Sequence, residues 1–96
     1  MQNMSQSSNN KTKKLILPNP FNYSTRNSFM PFIKDVEGVE LILDFTGVIH
    51  IDSSGLGLLL LARAAVGDIK ISLLNCSDEI KQLLVMANFH ILFKIT

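Results

Sequence analysis

The sequence predicts a single small α/β domain with a mixed, mostly parallel β-sheet and helices packed on it. Short β-branched or leucine-rich runs alternate with longer runs of helical spacing, in the order strand, helix, strand, helix, strand, helix, strand. The connections between these runs are short, and 96 residues suit one hydrophobic core but not two. The chain is therefore expected to work through one site or one face.

The N-terminal segment differs in composition from the rest of the chain. Residues 1–12 are mainly Ser, Asn, Gln and Lys, which bury too little surface to offset the entropy lost on ordering. We therefore expect a flexible polar tail there and a domain over 13–96. Residues 13–18, KKLILP, predict the first strand, which Pro18 ends.

A first helix is predicted over about 24–35, with Ser24 as a candidate N-cap. Pro31 would kink this helix, or would fit its first turn without strain if the helix began as late as Ser28. The apolar face of this helix has the spacing i, i+3, i+4 and consists of Phe29, Phe32 and Ile33.

Three further strands follow. Residues 39–45, VELILDF, are apolar on both alternating faces except at Glu40 and Asp44, which predicts a central strand covered on both sides. Residues 69–74, IKISLL, predict the next strand, and 91–95, ILFKI, the last one.

Two more helices are predicted between these strands. One runs to Val66 and ends at Gly67, a usual C-terminal cap residue. Ser77 is the expected N-cap of the other, with Asp78 and Glu79 in the first turn, where the helix dipole favours anions. The apolar stripe of that helix is Ile80, Leu83, Leu84 and Ala87.

The helix that ends at Val66 is apolar on more sides than one core can use. One stripe contains Leu56, Leu59, Leu60 and Arg63, and another contains Leu58, Leu61, Ala62 and Ala65. We expect one stripe in the core and part of the other, Leu58 and Leu61, on a docking face. The side chains predicted to be buried are Leu43, Ile51, Leu59, Ile71, Leu73, Leu83 and Leu84.

Composition argues against several classes of protein. Nine basic and eight acidic residues give a net charge of +1, which does not indicate a nucleic-acid binder. The single cysteine, Cys76, rules out a disulfide framework, fits a reducing compartment and is expected in the core. The N-terminus lacks the apolar centre of a signal peptide, and Arg63 interrupts the leucine run before it could span a bilayer. We expect a cytoplasmic protein with no membrane insertion.

The segment 49–67, IHIDSSGLGLLLLARAAVG, offers little for catalysis. His50 and Asp52 can share one side of an extended segment, but Ser53 then faces the other side, and the Gly-x-Ser-x-Gly elbow is absent. A dinucleotide fingerprint would need a third glycine where Leu60 stands. The spacing of Asp44, His50 and Asp52 matches no recognised metal frame. We therefore expect neither enzyme activity nor a cofactor.

Ser53 and Ser54 stand where the helix begins. Either hydroxyl can accept a hydrogen bond from an unpaired backbone N–H, a contribution of about 1 kcal/mol, and this structural role alone would explain them. Of the two, we expect Ser54 to be the local cap.

Two quoted stretches carry a resemblance to a known family. LILDFTGVIHIDSSGLGLLLLARAA resembles the central signature of the STAS family of the anti-sigma factor antagonist type, in which a strand ending Leu-Asp-(Leu/Phe) precedes Asp-Ser-Ser-Gly-Leu-Gly and a helix. ISLLNCSDEIKQLLVMANFHILFKI is similar to the family's closing strand, helix and strand. The resemblance covers 38–96. Upstream, LILPNPFNYSTRNSF resembles a shorter N-terminal form, with Asn22 where an acid is common and the early hairpin reduced to one evident strand.

The resemblance implies a phosphorylation switch in a bacterial signalling pathway. A serine kinase of the histidine-kinase-like fold, which doubles as the anti-sigma factor, would phosphorylate Ser53. The unphosphorylated form would bind that kinase, and a metal-dependent serine phosphatase would reset the switch. The alternative is a non-phosphorylated STAS scaffold or a subunit of a transport or signalling complex. The switch loop and docking residues implied are Asp52, Ser54, Gly55, Leu56, Gly57, Leu58 and Leu61.

Overall fold

A computed structural model describes residues 5–8, 12–34 and 40–96. Its five strands form one sheet in the order β1-β2-β3-β4-β5, in which β1 runs antiparallel to β2 and the other neighbours are parallel. This confirms the mixed, mostly parallel α/β architecture. The elements are β1 (Ser5–Ser8), β2 (Thr12–Ile16), α1 (Arg26–Lys34), β3 (Glu40–Asp44), α2 (Ser53–Val66), β4 (Ile71–Leu74), α3 (Asp78–Met86) and β5 (Lys94–Ile95).

The three central strands bury one row of leucines. Leu15, Leu43 and Leu73 lie side by side in register, and each is fully buried. All three helices contribute to the same core, because one face of each helix is apolar. The helix side chains in it include Phe29 and Ile33 of α1, Leu58, Leu59 and Ala62 of α2, and Ile80 and Leu84 of α3.

The opposite face of the sheet is polar, which corrects the prediction that β3 is covered on both sides. Lys14, Ile42 and Ser72 form a row in register on this face. Lys14 pairs with Asp44 at 3.4 Å, and Ser72 donates a hydrogen bond to Glu40. The two acids of β3 therefore mark this charged face, and within the described ranges the helices pack on the other one.

The N-terminal segment also differs from the expectation. Ser5–Ser8, inside the predicted tail, forms β1 and pairs with β2. The early strand pair, of which only one strand was evident in the sequence, is therefore present. Backbone hydrogen bonds to the edge of β2 stabilise this strand, whose polar side chains have little apolar surface to bury. Residues 1–4 and 9–11 lie outside the described residues.

The first helix begins later than predicted. A 3₁₀ turn over Tyr23–Thr25 precedes α1, and Asn22 rather than Ser24 accepts the capping hydrogen bond, from the Ser24 N–H. Pro31 lies inside α1, whose start at Arg26 is earlier than Ser28. The apolar face is confirmed, with Phe29 and Ile33 buried and Phe32 packed against them.

The last predicted strand is mostly not a strand. Phe89–Ile91 forms a 3₁₀ turn, and only Lys94 and Ile95 pair with β4. The turn brings Phe89 and Phe93 together, with ring centroids 5.6 Å apart, and buries both. Aromatic burial therefore outweighs the extended pattern at this end of the chain.

The core prediction holds for five residues and changes for two. Leu43, Leu59, Ile71, Leu73 and Leu84 are buried, whereas Ile51 is only partly buried. Leu83 is 38% exposed, because α3 directs Ile80 and Leu84 inward and the residue before Leu84 is turned about 100° away on a helix.

Candidate functional site

The site is built around the start of α2. Asp52 is the N-cap, and its Oδ1 accepts hydrogen bonds from the Gly55 N–H at 2.9 Å and the Ser54 hydroxyl at 2.7 Å. The hydrogen bond from the Ser54 hydroxyl, followed by that from the Gly55 N–H, lowers the pKa of the Asp52 carboxyl. An exposed carboxylate therefore stands directly before the helix.

Ser54 connects two segments and is not the cap, which corrects the prediction. Its hydroxyl oxygen accepts a hydrogen bond from the Tyr23 N–H at 2.9 Å while its proton goes to Asp52. An acid at position 52 can reach the N–H three residues on, whereas the Ser54 hydroxyl is held between Asp52 and the turn at Tyr23. Ser54 thus fixes the start of α2 against that turn.

Gly55 allows this close approach. A Cβ at position 55 would lie 2.3 Å from the Phe21 carbonyl oxygen and 2.7 Å from Cγ1 of Ile51, so the site requires glycine. Phe21 and Ile51 also form an isolated parallel bridge. The loop before α1 and the loop before α2 are therefore held as one unit.

Ser53 occupies a different environment from Ser54. It is the first residue of α2, and its side chain is exposed. Its hydroxyl makes no hydrogen bond within the part of the chain that the structure describes. The hydroxyl is thus accessible beside the Asp52 carboxylate and near the positive end of the helix.

The outer face of α2 carries no charged side chain. Leu60 and Leu61 are 45% and 42% exposed, and the only charged residue of the helix, Arg63, turns its guanidinium to backbone carbonyls. Those acceptors are the carbonyls of Gly67, Ile69 and Leu92.

Leu58 is 1% exposed, so its placement on a docking face was wrong, whereas Leu61 is exposed as expected. The buried stripe of α2 follows the spacing i, i+3, i+4, i+7 from Gly55, and this spacing cuts across both predicted stripes. Leu56 and Gly57 are half-buried. The sequence prediction did not place Leu60 on the exposed side of α2. The spacing i, i+3, i+4, i+7 counted from Gly55 leaves Leu60 off the buried stripe and would have identified it as exposed.

Asp44 belongs to a separate polar cluster at the ends of β3 and β4. Its Oδ1 accepts hydrogen bonds from the Thr46 hydroxyl and N–H and from the Asn75 amide. Burial raises the pKa of the Asp44 carboxyl, but hydrogen bonds from Thr46, Asn75 and Lys14 outweigh burial and lower it. Among the described residues, no three His, Cys, Asp or Glu side chains are grouped to hold a metal ion.

Comparison with known proteins agrees with this fold. The family model of the STAS domain matches residues 7–96, and the chain belongs to this family. A STAS-domain containing protein of Pseudomonas aeruginosa, strain UCBPP-PA14, is 44% identical over 57 residues. That match covers 57% of this chain and 56% of the relative's length. STAS domains are generally binding and regulatory modules rather than enzymes. In the described ranges, no helix has the length and apolar character needed to cross a membrane.

Proposed function

We propose that the chain is a phosphorylation-controlled protein-binding switch of the anti-sigma factor antagonist type, acting in the bacterial cytoplasm and in transcription regulation. Unphosphorylated, it binds a serine kinase of the histidine-kinase-like fold. Phosphorylation of Ser53 releases that kinase, and a metal-dependent serine phosphatase restores binding. The observation that carries the proposal is the contrast between the accessible Ser53 hydroxyl and the bonded Ser54 hydroxyl beside it.

This contrast supports Ser53 as the phosphoacceptor for a steric and a chemical reason. A kinase must reach the hydroxyl oxygen with the transferred phosphoryl group, and Ser53 is exposed in the first turn of α2. The Ser54 oxygen already accepts one hydrogen bond and its proton is directed to Asp52. Modification of Ser54 would break both bonds, whereas modification of Ser53 breaks none that the structure describes.

A phosphate at Ser53 would change the surface rather than the fold. It adds about −1.5 to −2 charge at pH 7, and the N-terminus of a helix tolerates such a charge. Docking, however, would have to remove water from the phosphate and from the neighbouring Asp52 carboxylate together. That desolvation opposes binding of any partner that supplies no cation there.

The outer face of α2 supports a docking role. It starts at Ser53, continues past the exposed Leu60 and Leu61, and has no charge to desolvate. Removing those leucines from water favours association, and the charge state of Ser53 controls one end of the same face.

The test is a binding titration of the purified kinase from the native host with three forms of the full chain: wild type, Ser53→Ala and Ser53→Asp. We expect Ser53→Ala to bind like the wild type. We expect Ser53→Asp to bind at least about tenfold more weakly, which corresponds to about 1.4 kcal/mol. Ser28→Asp is the matched control, because Ser28 is also exposed in the first turn of a helix.

Tight binding by Ser53→Asp would contradict the switch. If the wild type also took no phosphate from the kinase and ATP, the chain would be a STAS scaffold or complex subunit. Equal weakening by Ser28→Asp would show a general effect of added charge and would contradict the assignment to Ser53.

A further inference from the structure

A groove lies between the loop that leads into α2 and the side of α3. It encloses about 250 Å³, and Ile80 lies at its buried base. Three large apolar side chains on its walls are partly in water, with exposed fractions of 62% for Ile49, 38% for Leu83 and 75% for Met86. Covering these side chains would remove apolar surface from water, so the groove favours an apolar occupant.

The size of the groove limits what can occupy it. Sites for drug-sized ligands and cofactors usually span about 300–1,000 Å³, and this groove is smaller and open on one side. A volume of this size suits one or two anchoring side chains of a protein partner. The unbranched Met86 side chain can adapt its shape to such an anchor.

The charge of the groove limits the occupant further. Its polar lining consists of Glu79, His50 and Gln82, and in the described part of the chain neither Lys nor Arg lines it. A partner that places a lysine or arginine beside its apolar anchor would match the Glu79 carboxylate.

We propose that this groove is a docking site for a protein segment in which an aromatic or leucine anchor is next to a lysine or arginine. The anchor lies between Ile49, Leu83 and Met86, and the cation pairs with Glu79. This interaction uses residues other than Ser53 and the outer face of α2, so it does not depend on phosphorylation.

The test uses a defined probe, the blocked tetrapeptide Lys-Leu-Phe-Lys, titrated into the ¹⁵N-labelled full chain while amide chemical shifts are recorded. We expect the largest shifts at Ile49, Leu83 and Met86. The matched peptide Glu-Leu-Phe-Glu keeps the anchors and reverses the charge, and Lys-Ser-Ser-Lys keeps the charge and removes the anchors. Both are expected to bind at least about fivefold more weakly.

Variants of α3 locate the site. Leu83→Ser is expected to weaken binding of Lys-Leu-Phe-Lys at least about fivefold, and Met86→Ser provides a second variant if the first does not fold. Glu79→Gln should weaken it about two- to fivefold at low salt and less at high salt. Val85→Ser is the matched control, since Val85 is exposed on α3 but does not line the groove. It should bind like the wild type, as should Ser53→Ala.

The proposal is overturned if Lys-Leu-Phe-Lys shifts residues elsewhere, if the acidic peptide binds equally well, or if Leu83→Ser and Met86→Ser both bind like the wild type. Shifts at the groove that depend on protein concentration without peptide would assign it to a second copy of the chain and would also overturn the proposal. A loss of binding in Ser53→Ala would contradict the independence of the groove from the switch site, whereas failure of the switch alone leaves these shifts unchanged.

Discussion

At the scale of single residues, Ser53 and Ser54 are chemically identical neighbours with different hydrogen bonding. The helix start turns them in different directions, so that Ser54 lies between Asp52 and Tyr23 while Ser53 points to solvent. Asp52 takes the capping role that a serine could have filled. The functional assignment of Ser53 therefore depends on its neighbours having structural roles.

This division of roles predicts different stabilities for two alanine variants. Ser54→Ala removes the acceptor of the Tyr23 N–H and the donor to Asp52, so it should lower the free energy of unfolding by roughly 0.5–1.5 kcal/mol. Ser53→Ala should change it by less than about 0.5 kcal/mol. Urea denaturation of both variants measures the difference, and a larger loss in Ser53→Ala would show that its hydroxyl is structural.

The lowered pKa of Asp44 leads us to expect that the stability of the fold depends on pH. Its pKa is lower in the folded chain than the ordinary value of 3.8, so its stabilising contribution is present above that value and is lost as the pH falls through the folded pKa. The urea midpoint of the wild type should therefore fall with acid, and Asp44→Asn should be less stable at pH 7 and lose less between about pH 5 and pH 2. Equal acid losses in both proteins would show that Asp44 titrates alike in the folded and unfolded chain.

At the scale of elements, two glycines of α2 have opposite surroundings. A Cβ at Gly55 would collide with the Phe21 carbonyl oxygen, whereas a Cβ at Gly57 would meet no atom within 4 Å among the described residues outside its own stretch of helix. Gly57→Ala should raise the free energy of unfolding by roughly 0.5–1 kcal/mol, because alanine is the better helix former. Gly55→Ala should lower it by roughly 1–3 kcal/mol, the usual range for overpacking. Thermal or urea denaturation checks both, and a stabilised Gly55→Ala protein would contradict the close contact between α2 and the Phe21 segment.

The leucines of α2 predict a second contrast within the same helix. Leu58 is buried, so Leu58→Ala should destabilise the fold by roughly 2–5 kcal/mol. Leu61→Ala should cost less than about 1 kcal/mol, because the side chain is 42% exposed, and should instead weaken partner binding. Equal losses of stability in the two variants would place both leucines in the core.

At the scale of the whole molecule, local patterns in the sequence predict the parallel sheet, the three helices and most of the core. They do not predict which face of the sheet the helices cover. A strand buried on both faces can contain Glu40 and Asp44 if each acid has a buried partner, and the sequence does not show that the partners are Ser72 and Lys14 on the polar face. They also miss β1, whose pairing uses the backbone rather than side chains. At the site, the motif predicts the position of Ser53, but the role of Ser54 depends on its hydrogen bond with Tyr23, some thirty residues away in the chain.

The central claim, that Ser53 is a phosphoacceptor, is tested most directly by intact mass and site mapping of the full chain after incubation with the native host's serine kinase and ATP. The account predicts one added phosphate on the wild type, located on Ser53. It predicts none on Ser53→Ala and continued modification of Ser54→Ala, which keeps the Ser53 hydroxyl. Phosphate on Ser53→Ala at the wild-type rate, or on Ser54 in the wild type, would contradict the account.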